Sequence, residues 1–317
     1  MVAAHLAAAT SAAPAGRGHR AMSAALASAG KLPQQVLVTG LVRNCAAGIR
    51  TDLQRLQAAL RAFPQRHWLL VESDSADDSV ATLQALCHEH ENFRFLSLGA
   101  LRERLPLRTD RLAHCRNAYL EELQGNPLYR DVELVVVSDF DGVNTHITEA
   151  GVMSCWQRGG WAMCAANQAG PYYDIWALRH PLWSPNDCFA MQRFLHRHGL
   201  SDERALQVAV LGRMVTLPPT ADWVEVDSAF GGLALYQRAA LEGVRYHGLD
   251  DEGAEVCEHV ALHAVMRARQ HRLFINPAMV NAGIAEHAEH LRFSRQLQRV
   301  AKAGARRLLG SLKGGAA

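Results

Sequence analysis

Two carboxylates one residue apart, Asp139 and Asp141, close the apolar run Val135-Val136-Val137-Ser138 and precede Gly142. Hard oxygen ligands at this spacing suit Mg²⁺ or Mn²⁺, one carboxylate holding the cation while the other supports it or a sugar hydroxyl; the plainer alternative is a solvated turn at a strand end. Cys257-Glu258-His259 followed by His263 sets two imidazoles four residues apart on one helix face, next to a carboxylate. Zinc bound by Cys257, His259 and His263 competes there with general-base chemistry from Glu258 or Glu255, and the lack of another Cys/His pair at ligand spacing favours the base. A second acidic cluster, Glu72-Ser73-Asp74-Ser75 with Asp77 and Asp78, either caps a helix or accepts hydrogen bonds from a nucleotide's base or ribose. Arg43-Asn44, then Arg102, Arg104, Arg108, Arg111 and Arg116-Asn117, supply the forked donors that grip phosphate, with Arg108 and Arg111 sharing a helix face.

These groups need elements to hold them, and the periodicity supplies those elements. Apolar runs Val36–Leu41, Trp68–Val71, Phe93–Leu98 and Glu133–Ser138 alternate with helical patterns through Ile49, Leu53, Leu56 and Leu60, over Val80–Cys87, and over an Arg-rich stretch near Leu112–Leu123. Strand–helix alternation predicts an α/β fold with a mainly parallel central sheet, helices on both faces, and functional loops at the strands' carboxyl ends. From Trp156 to Phe189 the pattern loosens into aromatic, Pro- and Asn-rich sequence of the kind that lines a cleft. A helix follows near Cys188–His198, and order resumes over Trp223–Phe230, in a helix near Ala254–Arg269 and in a short strand Leu273–Asn276.

Composition narrows the function classes. The 317 residues carry 33 basic and 31 acidic side chains, a net charge of +2, which argues against nucleic acid as a partner. Only Lys31, Lys302 and Lys313 are lysines, so chemistry needing a central lysine is excluded. Seven scattered cysteines without a CxxC pair suit a reducing cytoplasm. Residues 1–34 read as a flexible Ala-rich extension, and 35–285 as one domain with a nucleotide-binding half (35–142) and an acceptor and catalytic half (143–285). Residues 286–317 read as a basic amphipathic helix, its apolar positions Phe293, Leu297 and Val300 flanked by Arg292, Arg295 and Arg299. That helix either packs on the domain or docks peripherally on the anionic inner face of a membrane.

Taken in order, several segments resemble the nucleotide-sugar glycosyltransferases of the GT-A (Rossmann-like) fold, and within them the capsule-associated, CAP59-like mannosyltransferase group and its bacterial relatives. The resemblance spans roughly Val36 to Asn281. It rests on Leu41-Val42-Arg43-Asn44, Glu72-Ser73-Asp74-Ser75, Arg116-Asn117-Ala118-Tyr119-Leu120, Asp139-Phe140-Asp141, Tyr172–Arg179, Phe230–Tyr236 and Cys257-Glu258-His259-Val260.

The resemblance implies Asp139 and Asp141 holding Mn²⁺ or Mg²⁺ against the diphosphate of a sugar donor, with His259 or His263 as a late metal ligand. It implies Glu258 as the catalytic base for a saccharide or lipid-linked saccharide acceptor. Arg43, Asn44, Glu72, Asp74, Arg108, Arg111, Arg116, Asn117, Ser138 and Phe140 are then the nucleotide contacts. Sugar and acceptor contacts follow from Tyr172, Tyr173, Asp174, Trp176, Arg179, Trp183, Asn186 and Asp187, with Gly231 and Gly232 letting backbone approach the donor sugar. Glu258-His259 stands where many inverting members carry Glu-Asp. The same Asp139-Phe140-Asp141 also matches the nucleophile motif of haloacid-dehalogenase-like phosphatases, but the missing lysine and the motif's late position count against that reading. A non-catalytic nucleotide-sugar-binding relative is the third reading, disfavoured by both aspartates being present.

Overall fold

The computed structural model describes residues 31–283. The basic helix expected over 286–317, and all but the last residues of the expected N-terminal extension, lie outside the described residues.

Eight strands form one sheet: β1 (Gln35–Val42), β2 (Gln65–Glu72), β3 (Phe93–Ser97), β4 (Leu134–Ser138), β5 (Met163–Gln168), β6 (Val224–Val226), β7 (Leu233–Gln237) and β8 (Leu273–Ala282), in the order β3-β2-β1-β4-β7-β5-β8-β6. Strands β1 to β4 are parallel, β7 is antiparallel to both β4 and β5, β8 is parallel to β5, and β6 is antiparallel to β8. All strands but β6 and β7 therefore point the same way, and their carboxyl ends open on one edge. The helices are α1 (Ile49–Ala59), α2 (Ser79–Glu89), α3 (Arg108–Gly125), α4 (Glu149–Met153), α5 (Cys188–Arg197), α6 (Asp202–Ala209) and α7 (Glu258–Ala268).

Both faces of the sheet are covered, as the runs of Val and Leu require of parallel strands. Val36 and Val38 face α1 and α2 through Leu53, Leu56 and Leu83, whereas Leu37 and Val135 face the other way onto Tyr119 and Leu120 of α3 and Leu262 of α7. The architecture is thus α/β, mainly parallel, with helices on both faces, as the alternation indicates. No helix among the described residues is long and apolar enough to cross a membrane.

The second half is more regular than its sequence. Strand β5 crosses the stretch expected to be irregular, β7 follows Gly232 directly, α7 begins at Glu258 rather than Ala254, and β8 continues to Ala282. Met-Cys-Ala-Ala-Asn-Gln of β5 is buried throughout, so neither alternation nor β-branching marks it as a strand.

Candidate active site

The Asp139–Asp141 turn leaves β4, whose five residues are all buried, and the surrounding chain fixes its backbone. Asp139 N–H donates to the Gly232 carbonyl (2.9 Å). Asn144 Nδ2 donates to Ser138 Oγ (2.8 Å) and to the Asp139 carbonyl (2.9 Å). Gly142 N–H donates to Oδ2 of Asp52 (2.8 Å), a fully buried carboxylate on α1. Asp141 accepts from Val143 N–H (3.2 Å) and is otherwise exposed to solvent. Asp139 keeps one third of its side chain open to the cleft. Its carboxyl is pushed up to about 7, first by burial and then by the charges of Asp141, Asp174 and Glu258, with Arg116 opposing them.

Arg116 is the hub of the cluster. Presented by α3 and only 4% exposed, it donates from Nε to Glu258 Oε1 (2.9 Å) and approaches Asp139 Oδ1 through Nη2 (3.9 Å). Its guanidinium lies over the rings of Phe230 and Tyr246, 5.3 and 5.7 Å from their centroids. Nη1 is buried without a hydrogen-bond partner among the described residues. Glu258, at the first position of α7, is 4% exposed, where the helix dipole favours its negative charge. One guanidinium therefore carries two carboxylates from opposite ends of the site.

The two histidines part company. His259 stacks on Phe230 (4.0 Å between centroids), stands edge-on to Tyr246, lies 3.8 Å from Glu258 and has no hydrogen-bond partner on either ring nitrogen among the described residues. Burial, then Arg116 and His263, hold it well below the usual imidazole range. His263 is a core residue, correcting its expected role as metal ligand: Nδ1 bonds Ser228 Oγ (2.8 Å), Nε2 bonds Tyr236 Oη (2.9 Å), and burial lowers its pKa to about 3. Among the described residues no three His, Cys, Asp or Glu side chains are gathered to hold a metal ion by themselves. The oxygen-rich pair Asp139 and Asp141 nonetheless fits a hard divalent cation, because four acids with one arginine leave negative charge that a cation would offset.

Gly231 and Gly232 join the two sides of the site. Both have positive φ (70° and 82°), and a Cβ would fall 2.8 Å from Gln168 Nε2 at the first and 2.8 Å from Tyr173 Oη at the second. Gly231 N–H donates to Asp174 Oδ2 (2.9 Å), and its carbonyl accepts from Asn281 Nδ2 (2.9 Å) and Gln168 Nε2 (3.2 Å). Asn281 in turn donates to Asn144 Oδ1 (3.2 Å), closing a buried amide chain back to the Asp139 turn. Burial raises Asp174, and it raises Tyr173 well above the usual phenol range with help from Asp139, Asp174 and Asp141. Asn144, Gln168, Asn281 and Asp52 were not anticipated from sequence, since lone amides and a helical Asp look like surface residues.

The residues expected to contact nucleotide are mostly committed to one another. Asn44 (φ 52°) receives a bond from Ala76 N–H (2.7 Å) and donates its own N–H to Ser75 Oγ (3.1 Å). Glu72 is buried and accepts from Ser75 N–H (3.0 Å) and Ser97 Oγ (2.6 Å). Asp74 accepts from Arg102 N–H (2.9 Å) and lies 3.8 Å from Arg111, whose Nη1 also holds the Leu105 and Pro106 carbonyls (2.6 and 2.7 Å). Asn117 is locked to Tyr246 by paired bonds of 2.9 Å. Arg43 and Arg108 are exposed at the rim. Ser138 is fully buried and donates to the Asp139 carbonyl (3.0 Å), so it supports the turn; Phe140, 1% exposed, is core, which corrects its expected role as a nucleotide contact.

The aromatic segment divides similarly. Tyr172 is fully buried against Trp183 (5.4 Å between centroids), a core residue rather than the expected sugar contact, while Tyr173 and Asp174 reach the carboxylate cluster. Asp187 caps α5 through Phe189 and Ala190 N–H and also accepts from Trp176 Nε1 and Arg179 Nη2 (both 2.9 Å), so Arg179 and Asp187 brace the loop. Trp183 donates to the Arg213 carbonyl (2.6 Å) and Asn186 accepts from Arg213 Nη2 (2.7 Å), so both are tied to Arg213.

No family model and no curated protein sequence matches the chain. Among solved structures it is similar to a mannosyltransferase from Pyrobaculum calidifontis in complex with GDP-Man and Mn²⁺ (14% identity, TM-score 0.45, 92% of this chain and 72% of that one). It is also similar to glucosyl-3-phosphoglycerate synthase from Mycobacterium tuberculosis in complex with UDP (14% identity, TM-score 0.38, 78% and 68%). A third similarity is to residues 1–349 of S. aureus TarS (13% identity, TM-score 0.42, 78% and 60%).

Proposed function

We propose that this chain is a cytoplasmic, metal-dependent glycosyltransferase of the GT-A type. It moves a hexosyl group from a nucleotide-diphosphate sugar to a saccharide or lipid-linked saccharide acceptor in capsule, lipopolysaccharide or other polysaccharide assembly. The pathway and the placement near the CAP59-like group follow from the resemblance of the motifs above. The observation that carries the reading is the sharing of buried Arg116 by Asp139 and Glu258, at the edge where the parallel strands end.

Asp139 and Asp141 would hold Mn²⁺ or Mg²⁺, which when bound offsets charge on the departing nucleotide. Asp139, left near pKa 7 by burial and its acidic neighbours, gains from any cation that lets it ionise. Glu258, held by Arg116, takes the proton of the acceptor hydroxyl at its carboxylate, the role expected of an inverting base. Asp174 and Asp139 fix the two glycines that let backbone approach the donor sugar. His259 and Phe230 exclude water behind the Arg116–Glu258 pair.

Glu258→Gln tests this directly: transfer from a nucleotide-diphosphate sugar falls by roughly 10²- to 10⁴-fold while nucleotide affinity persists. Collapse of donor affinity in this variant would place Glu258 in the donor site and remove the base assignment.

A further inference from the structure

Helix α5 carries an unusual face. Phe189, Gln192, Arg193, His196 and Arg197 recur at helical spacing on one side of it, and together with Trp176 they line a groove of ≈ 570 Å³ that also touches Glu255. Instead of an apolar stripe, this side offers an aromatic ring, an amide and two guanidinium groups. The groove's acids are already engaged: Asp202 pairs with His196 (2.9 Å), and Glu255 accepts from Thr109 N–H (3.0 Å) and Oγ1 (3.2 Å). The exposed guanidinium groups of Arg193 and Arg197 make no hydrogen bond or ion pair among the described residues. Both walls adjoin the candidate active site along the chain: Trp176 lies two residues beyond Asp174, and Glu255 three before Glu258.

We infer that this groove is the acceptor subsite and that the acceptor is an acidic saccharide whose carboxylate or phosphate groups are gripped by Arg193 and Arg197. The assignment rests on the transferase reading above. Trp176 and Phe189, edge-on at 5.2 Å, give a sugar ring an apolar wall, and Gln192 gives its hydroxyls an amide. Guanidinium forks match carboxylate and phosphate oxygens, so the charge left unpaired on α5 selects an anionic chain over a neutral one.

The test is calorimetric titration of the whole protein with a hexuronate tetrasaccharide, a phosphorylated hexose tetrasaccharide and a neutral hexose tetrasaccharide. At least one acidic ligand binds roughly tenfold or more tightly than the neutral one, the tighter arm naming the anionic group; Arg193→Ala/Arg197→Ala removes that preference, and Arg193→Lys/Arg197→Lys restores part of it. Equal affinity for neutral and acidic ligands, or an unchanged preference in the alanine variant, overturns the inference. UDP and GDP with Mn²⁺ are titrated alongside. Nucleotide binding without acidic-saccharide preference sinks the groove alone, and acidic-saccharide preference with no nucleotide binding keeps the groove as a saccharide site while removing the transferase reading and the acceptor role.

Discussion

The loops at the ends of β1 and β2 and the cluster at the end of β4 and the start of α7 carry the same residue types in opposite states. In the first, polar groups satisfy one another: Asn44 with Ser75 and Ala76, Asp77 with Ala46, Glu72 with Ser75 and Ser97. In the second, Asp139 and Glu258 share one arginine with Asp141 and Asp174 close enough to raise the Asp139 carboxyl, while Arg116 Nη1 and both nitrogens of His259 have no hydrogen-bond partner among the described residues. Paired groups make a rigid frame. Crowded and unpartnered ones store an electrostatic cost that a ligand can relieve. Polarity alone therefore does not mark the chemistry; the unbalanced charge does.

Four substitutions probe that difference, the largest effect first. Asp141→Ala abolishes turnover, by about 10³-fold or more, in a transfer assay with saturating Mn²⁺, yet shifts unfolding free energy by no more than about 0.5 kcal/mol because the side chain is exposed. Retained turnover would break the contrast at its centre. His263→Phe, at the back of the cluster, leaves buried Ser228 Oγ and Tyr236 Oη without their imidazole partner and costs about 2–4 kcal/mol by urea denaturation.

Asp139→Asn has the opposite sign. Because folding raises this carboxyl from the ordinary range to about 7, the folded state binds the proton more tightly, and stability declines as pH rises from about 4 to 7. Removing the charge should stabilise the ligand-free protein by about 1–2 kcal/mol at pH 8, a figure discounted because a third of the side chain meets water, and by almost nothing near pH 4. Thermal unfolding across that range checks it, and an equal effect at both pH values would show that Asp139 is not electrostatically strained. The smallest effect belongs to the paired loops: Asn44→Ala loses the bond from Ala76 and must hold a positive φ, costing about 1–1.5 kcal/mol by denaturation.

Much of this arrangement was legible in the residues. An all-apolar strand ending in Asp-x-Asp marks the end of β4, because strand termini are written locally, whereas the start of α7 was read four residues early, at Ala254 rather than Glu258. The alternation of the first half exposed the parallel sheet for the same reason. Arg116 was one arginine among many until the fold brought α3 beneath α7, a contact across 142 positions. Phe140 and Tyr172 look like ligand contacts by type, and only packing shows them as core. Strand β5 and the amides Asn144, Gln168 and Asn281 escaped notice because a wholly buried strand lacks periodicity and buried amides need partners distant in sequence.

The most direct measurement is a thermal-unfolding panel of the wild type and Asp141→Ala with UDP, GDP, CDP and CMP, each with and without Mn²⁺. One nucleoside diphosphate is expected to raise the wild-type midpoint on the order of 5 °C near 100-fold saturation, only with Mn²⁺, and to leave Asp141→Ala unmoved. No response to any nucleotide, or an equal response in Asp141→Ala, would contradict it.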